Sequence, residues 1–158
     1  MTMQHVNRNS SRTPGFDPRL FLRDEELDYG ISLILTGERV LMREAAHLSS
    51  RLNIPPLAAR VLITIRFEPG RSVSDLREGL GATTPTLARI LADLSKRGYI
   101  ERRKSRSDAR RRVLELSHEG GRVTDPAVIG MRNAMRGAYR QAGASAVAGA
   151  RAVLEALR

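Results

Sequence analysis

Apolar residues recur at three- and four-residue spacing through most of the chain, and this pattern predicts a mainly helical protein. The first helix is predicted over residues 24–52, with Asp24 and the two glutamates after it favouring an N-terminus. Its seam alternates steps of four and three and is interrupted only by Glu38. The seam positions are Leu27, Ile31, Ile34, Glu38, Leu41, Ala45, Leu48 and Leu52. Because this helix is longer than a small domain needs, we interpret it as a dimerisation helix rather than an ordinary core helix.

Two shorter helices are predicted next. One follows Pro55-Pro56 and runs to about Phe67. The other runs from Ser72 through Leu80, and Asp75, three residues after Ser72, favours a capping box. Gly81 to Thr83 form a tight connection to a further helix, so the pair has the form of a helix-turn-helix.

The helix after this connection leads directly into a basic hairpin. Thr84 is the expected cap, Pro85 suits the first helical position, and Gly98 suits the helix end. The buried stripe of this helix is predicted to be Leu87, Ile90, Leu91 and Leu94. Two short strands follow, from Tyr99-Ile100 and around Val113, and the segment between them is rich in arginine. Like charges on one short hairpin repel each other, which favours an anionic partner.

This stretch resembles the winged helix-turn-helix of MarR-type bacterial transcription regulators. Members of that family have a T-x-x-R element in the recognition helix, then L-x-x-x-G-Y/L-I/V-x-R, a wing with D-x-R, and L-T/S-x-x-G. The matching residues here are Thr86, Arg89, Leu94, Gly98, Tyr99, Ile100, Arg102, Asp108, Arg110, Leu116, Ser117 and Gly120. Matches in this order over some forty residues are specific, and the resemblance continues more loosely from about Asp24 to the C-terminus.

The resemblance implies a mainly α fold with a small β-hairpin wing, in which a winged helix-turn-helix is joined to a helical dimerisation layer. Residues 1–18 are expected to form a disordered tail and residues 19–158 a single MarR-like domain. Within it, 19–53 and 118–158 would form the dimerisation region and 54–117 the DNA-binding region. The implied activity is sequence-specific binding of double-stranded DNA by a homodimer, as a repressor of transcription that a small effector relieves.

A helix in the major groove presents its N-terminal side chains to base edges. The candidates on the recognition helix are Thr83, Thr84, Thr86 and Arg89. The threonine hydroxyls fit phosphates equally well. The candidates on the wing are Lys104, Arg106, Asp108 and Arg110. By resemblance Arg110 enters the minor groove and Asp108 holds it, with Arg106 as the alternative inserted side chain.

The region after the wing departs from the family pattern. Ser117 is expected to cap a helix that Gly120-Gly121 weaken and that Pro126 breaks or kinks, since proline removes a backbone donor. Thr124 or Asp125 would then cap a restarted helix. Gly143 and Ala144 are predicted to form a joint, and Ser145 to cap the final helix. The resemblance implies that this final helix intertwines with the first helix of a second subunit.

Composition narrows the function classes. The net charge of +10 and the pI near 11.3 indicate a polyanionic partner. The chain has no cysteine, which excludes disulfides, thiolate redox sensing and cysteine-ligated metals. No apolar run is long enough to span a bilayer, and the N-terminus has no hydrophobic signal core. These features predict a soluble cytoplasmic protein without a membrane partner.

The sequence also leaves alternative functions to consider. No catalytic motif is evident, so an enzyme is not expected, and the spacing of His5, His47 and His118 does not favour a metal site. The main alternative is a basic RNA-binding protein that uses the hairpin on structured RNA. A winged helix that serves only protein contacts is a third reading, and the basic wing argues against it. No cofactor is expected beyond an aromatic or anionic effector, for which Met42, Arg43 and His47 are candidate contacts, although core or surface roles suit them better.

Overall fold

A computed structural model describes residues 22–104 and 112–157 of the chain. The described residues form six helices and one antiparallel hairpin, which confirms the predicted fold class. The elements in chain order are α1 (Asp24–Leu52), α2 (Pro56–Phe67), α3 (Val73–Leu80), α4 (Thr84–Lys96), β1 (Ile100–Lys104), β2 (Arg112–Leu116), α5 (His118–Ala142) and α6 (Ala144–Ala156). None of the helices in these two ranges is long and apolar enough to cross a membrane.

The chain divides into two compact units, and the boundary follows Gly37 within α1. In the first unit, α1 begins with three acidic residues, as predicted for a helix N-terminus. Its apolar side chains Leu27, Ile31 and Ile34 are exposed in the single chain. The predicted tail over residues 1–18 lies outside the described residues.

The second unit contains one hydrophobic core built around α2 and α4. Each of the four residues predicted as the buried stripe of α4 is less than a tenth exposed. Helix α2 is buried on more than one side, whereas an amphipathic helix buries a single apolar stripe. Ala59, Val61 and Leu62 are 0% exposed. This burial places α2 at the centre of the unit, where it packs against α3, α4, α5 and β2.

In the helix-turn-helix, the predicted cap of α3 is confirmed and the predicted cap of α4 is corrected. Ser72 and Asp75 form the predicted capping box, with reciprocal hydrogen bonds of 3.2 and 2.8 Å. At α4 the cap is Thr83, since its hydroxyl accepts the amide of Thr86 at 3.4 Å. The predicted cap Thr84 is wrong by one residue because Thr83 keeps the extended backbone that a capping residue needs, whereas Thr84 is already helical.

The end of α4 and the start of the wing are joined by a Schellman turn. Gly98 has a φ of 73°, and the amides of Gly98 and Tyr99 donate to Ser95 and Leu94 at 2.9 and 3.0 Å. This confirms Gly98 as the residue that ends the helix. The paired strands β1 and β2 follow in the register Ile100 opposite Leu116.

Ser117 caps α5 as predicted, because its hydroxyl accepts the Gly120 amide at 2.9 Å. The same hydroxyl donates to the Gly98 carbonyl, and the Ser117 amide donates to Tyr99 at 3.0 Å. Gly120 is buried so closely against the Tyr99 carbonyl that a Cβ there would overlap it. The first turn of α5 therefore packs directly on the turn between α4 and the wing.

The predicted break near Pro126 is wrong, and so is the restarted helix capped by Thr124 or Asp125, since α5 is one continuous helix from His118 to Ala142. The kink that the sequence also allows at Pro126 stays a prediction. The Thr124 side chain is fully buried and its hydroxyl lies 2.9 Å from the carbonyls of both Gly120 and Gly121. Arg51 of α1 donates to the Val123 carbonyl. An interior proline costs about 3 kcal/mol, and burial of one large apolar side chain contributes about 1.5–3 kcal/mol. The buried face of α5 (Val123, Ala127, Val128 and Met131) therefore outweighs the local cost.

Of the predicted joint at Gly143 and Ala144, Gly143 separates α5 from α6 with a φ of 81°, whereas Ala144 is already the first residue of α6. The predicted cap Ser145 is wrong, because α6 already begins at Ala144 and has no side-chain cap. The turn at Gly143 lets the next residue enter the helix at once, which leaves Ser145 inside it. Helix α6 has no buried residue in the single chain.

We expect Gly120→Ala to destabilise the fold by at least about 1–3 kcal/mol, the cost of forcing extra atoms into a packed site. Gly121→Ala is the matched control, because its Cβ would meet only the Arg66 side chain at 3.6 Å. Removing a helical glycine should stabilise that variant by up to about 1 kcal/mol. Urea unfolding of both variants measures the difference, and equal stabilities would contradict the close contact.

Candidate nucleic-acid interface

The recognition helix α4 presents one solvent-facing side. With Leu87, Ile90 and Leu91 turned into the core, Thr84 and Arg89 are exposed near its N-terminal end. Arg89 forms no ion pair within the described residues, so its five donors are available to a ligand. This side therefore has the shape and donors that a major-groove contact requires.

Thr83 and Thr86, the other two predicted contacts on α4, are tied to each other. The Thr83 hydroxyl donates to Thr86 Oγ1 at 2.9 Å while it accepts the Thr86 amide. Thr83 is exposed and Thr86 is partly buried. The capping interaction uses the hydroxyl of Thr83, whereas the Thr86 hydroxyl keeps its own proton to donate.

The two faces of the hairpin carry different sets of charged residues. Residues on alternate positions of a strand share a face, as do residues opposite each other across the pair. Glu101, Arg103 and Glu115 therefore lie on one face, where Arg103 contacts Glu101 at 2.9 Å and Glu115 at 3.4 Å. The hydrogen bond to Glu101 and the two carboxylate charges raise the pKa of Arg103. The charge of Arg103 is thus balanced by two carboxylates of the same hairpin.

The other face carries Arg102, Lys104 and Arg112, with Arg102 opposite Leu114 and Lys104 opposite Arg112. All three cations are exposed, and none forms an ion pair in the described part of the chain. Of these, only Lys104 was among the predicted contact residues. Arg102 follows Ile100 by two residues, so the sequence alone places it on the same face of the strand as Ile100 and Lys104. The face on which Arg112 lies can be assigned only from the register of the two strands.

Residues 105–111 connect the two strands along the chain. The predicted contacts Arg106, Asp108 and Arg110 lie there, outside the described residues, and they stay predictions. The strands end at Lys104 and Arg112, which form a facing pair. The described cations of the hairpin thus lead directly to the segment in which those three side chains are predicted to act.

A second feature is a large apolar groove of about 1010 Å³ within the second unit. It is lined from α1 and α2 by Leu41, Met42, Ile63 and Phe67, and from α5 and α6 by Met131, Met135, Tyr139, Ala144, Val147 and Ala148. Four arginines also line it: Arg132, Arg136, Arg140 and Arg151. Flexible methionine side chains adapt to varied ligand shapes, and arginines at an apolar site provide charge-assisted donors for an anion.

Of the three effector candidates suggested by the sequence, Met42 lines this groove. His47 lines a separate cavity of about 180 Å³ together with Glu44, whose carboxylate is 3.9 Å away. Arg43 is exposed and lines neither. Residues 22–104 and 112–157 contain no cluster of three side chains suited to hold a metal.

The helix-turn-helix of α3 and α4, followed by the β1–β2 hairpin, defines a winged helix-turn-helix. The model of the MarR family matches residues 52–111. HTH-type transcriptional regulator PetP of Rhodobacter capsulatus is 36% identical over 144 residues, which covers 91% of this chain and 87% of that protein. The chain therefore belongs to the MarR family of transcriptional regulators.

Solved structures show the same fold. NadR in complex with 4-hydroxyphenylacetate superposes with a TM-score of 0.64 at 23% identity and covers 80% of this chain and 89% of its own. The MepR Q18P mutant from S. aureus gives a TM-score of 0.62 at 17% identity, over 83% and 94% of the two chains.

We expect Arg102→Gln and Lys104→Gln each to make the salt dependence of DNA binding shallower, by about 0.9 in log–log slope for each lost phosphate contact. The charge-neutral double variant Glu101→Gln/Arg103→Gln is the control and should leave the slope unchanged. Fluorescence anisotropy with one duplex between about 50 and 200 mM salt measures these slopes. An unchanged slope in both cation variants, or a large change in the control, would contradict the assignment of faces.

Proposed function

We propose that this protein is a sequence-specific DNA-binding repressor of transcription that acts as a homodimer and is released by a small effector. The observation that carries the proposal is the exposed pair Thr84 and Arg89 on α4, beside a hairpin whose one face holds three cations that form no ion pair among the described residues. The first feature suits base edges and the second suits the phosphate backbone. A regulator of this bacterial family would act in the cytoplasm, where its DNA partner is.

Exposed apolar surface supports a dimer. In the second unit, Val153, Leu154 and Leu157 of α6 and the following turn are 60, 51 and 69% exposed. In the first unit, Leu27 and Ile31 of α1 are 45 and 55% exposed. Apolar faces of this kind are normally covered by a partner. A two-fold dimer would place its recognition helices about 34 Å apart, which selects a pseudo-palindromic operator with half-sites one turn apart.

The groove supports control by an apolar anion. Its lining buries an aromatic or aliphatic body, and Arg136 and Arg140 lie one turn apart on α5 to bind a carboxylate. The 4-hydroxyphenylacetate bound by NadR belongs to this chemical class. An effector weakens DNA binding only if it binds the DNA-free conformation more tightly, so the groove must change shape when DNA binds.

The RNA-binding alternative has less support. Proteins that bind exposed RNA bases usually stack them on accessible aromatic side chains. Tyr99, the aromatic residue nearest the hairpin, is partly buried and packs against the hydrophobic core. The hairpin thus offers charge without a stacking surface.

The operator test uses fluorescence anisotropy with duplexes tiled across the DNA upstream of the protein's own gene. We expect one site to bind at least roughly a thousandfold more tightly than a scrambled duplex near physiological salt. A structured RNA serves as competitor. Equal binding to all duplexes would reject sequence-specific recognition, and preferential binding of the RNA would favour the alternative.

The effector test titrates aromatic carboxylates, beginning with 4-hydroxyphenylacetate, against the protein–operator complex. We expect release of DNA, and a roughly tenfold or greater loss of effector potency in Arg136→Gln/Arg140→Gln, since hydrogen bonds to charged groups contribute about 1.5–3 kcal/mol. Operator affinity without effector should stay near that of the native protein. Arg122→Gln, outside the groove, is the control. Equal potency in the groove variant would exclude these arginines as the anion site.

A further inference from the structure

Arg97, at the C-terminal end of α4, contacts two helices with one guanidinium group. Its Nε donates to Asp93 Oδ2 at 2.8 Å, one turn back on α4. Its Nη1 donates to the backbone carbonyl of Leu52, the last residue of α1, at 3.3 Å. Arg97 therefore links the recognition helix to the last residue of α1.

The acceptor on α1 is the carbonyl of Leu52, one of the carbonyls at the C-terminus of the helix. The last carbonyls of a helix have no partner within the helix, and a cation at that end is also favoured by the helix dipole. Helix α1 ends sharply, because Asn53 has a φ of 47° and the Ile54 amide turns back to Ser49 at 3.1 Å. This turn fixes the position of the Leu52 carbonyl that accepts the hydrogen bond from Arg97.

Two other arginines join α1 to different neighbours. Arg60 of α2 lies 3.3 Å from Glu38, and Arg51 donates to the Val123 carbonyl of α5. The contact of Arg97 differs in that it reaches the recognition helix directly. Arginine suits this position because its planar fork holds two acceptors in fixed directions, whereas a lysine ammonium provides a single flexible point.

We propose that Arg97 is a positioning residue for DNA recognition, which fixes the orientation of α4 relative to the end of α1. This rests on the proposed function, in which two copies of the chain place their recognition helices in successive major grooves. A change of angle between α1 and α4 in each copy changes the separation of the two helices. Arg97 then affects how strictly the protein selects the spacing of half-sites, without contacting a base.

A DNA-free distance measurement tests the geometry. Because the native chain has no cysteine, spin labels attach only at introduced ones, and Ala46→Cys on α1 with Ala88→Cys on α4 gives an exposed pair. Dilution with unlabelled protein leaves only distances within one chain. Arg97→Ala should broaden the distance distribution, and Arg97→Lys should do the same while it keeps the charge.

Arg122→Ala is the matched control, because it removes an equal charge from a residue that pairs with Glu119 on its own helix. Its distance distribution should equal that of the native protein. An unchanged distribution in both Arg97 variants would overturn the proposal. If Arg97→Ala fails to fold by circular dichroism, Arg97→Lys alone decides the result.

The functional measurement uses the tightest duplex from the upstream tiling and versions with one base pair added or removed between its half-sites. Native protein should lose affinity for both altered duplexes, and Arg97→Lys should lose markedly less. A variant that is only less stable would bind all three duplexes more weakly in proportion, so an unchanged spacing preference would overturn the proposal. If native protein prefers no duplex, the proposed function fails, and the distance measurement still decides the role of Arg97.

Discussion

The close contact of α5 with the turn between α4 and the wing is the constraint on which the DNA-binding module depends. Gly120 lies against the Tyr99 carbonyl with no room for a side chain, while Ser117 caps α5 and also bonds to Gly98 and Tyr99. Three elements therefore meet at one point: the end of the recognition helix, the base of the hairpin and the start of α5. The start of α5 thus packs on the base of the wing and the end of α4 through hydrogen bonds and van der Waals contact.

Charge on the wing is organised by strand geometry rather than by number alone. The sequence shows a run of basic residues with few acids, which predicts a polyanionic partner but does not show which cations form ion pairs within the hairpin. Pairing the strands places Arg103 between Glu101 and Glu115 and leaves Arg102, Lys104 and Arg112 together on the opposite face. Among the described residues, the cations of the hairpin without an ion pair thus lie on one face.

Helix α5 shows how tertiary contacts override a local rule. Pro126 inside a helix is unfavourable by itself, and residues around it offer alternative caps. In the folded chain the hydroxyl of Thr124 and the guanidinium of Arg51 provide donors in that region, and the buried face of the helix packs on the core. A break would have given up that burial, which is worth more than the hydrogen bond that proline removes.

The sequence by itself determined that the chain is mainly helical, the order of its elements as far as the start of α5, and the side of the recognition helix that faces the core. These features depend on local periodicity, caps such as Ser72 and Ser117, and the left-handed turn at Gly98, all of which act between residues close in the chain. Only the tertiary structure decided which cations of the two described strands lack an ion pair, why Gly120 must be glycine, and that α5 passes through Pro126 unbroken. Each of these depends on contacts between residues that are not neighbours along the chain, such as Arg103 with Glu115, Gly120 with Tyr99 and Arg51 with Val123, which no local pattern encodes.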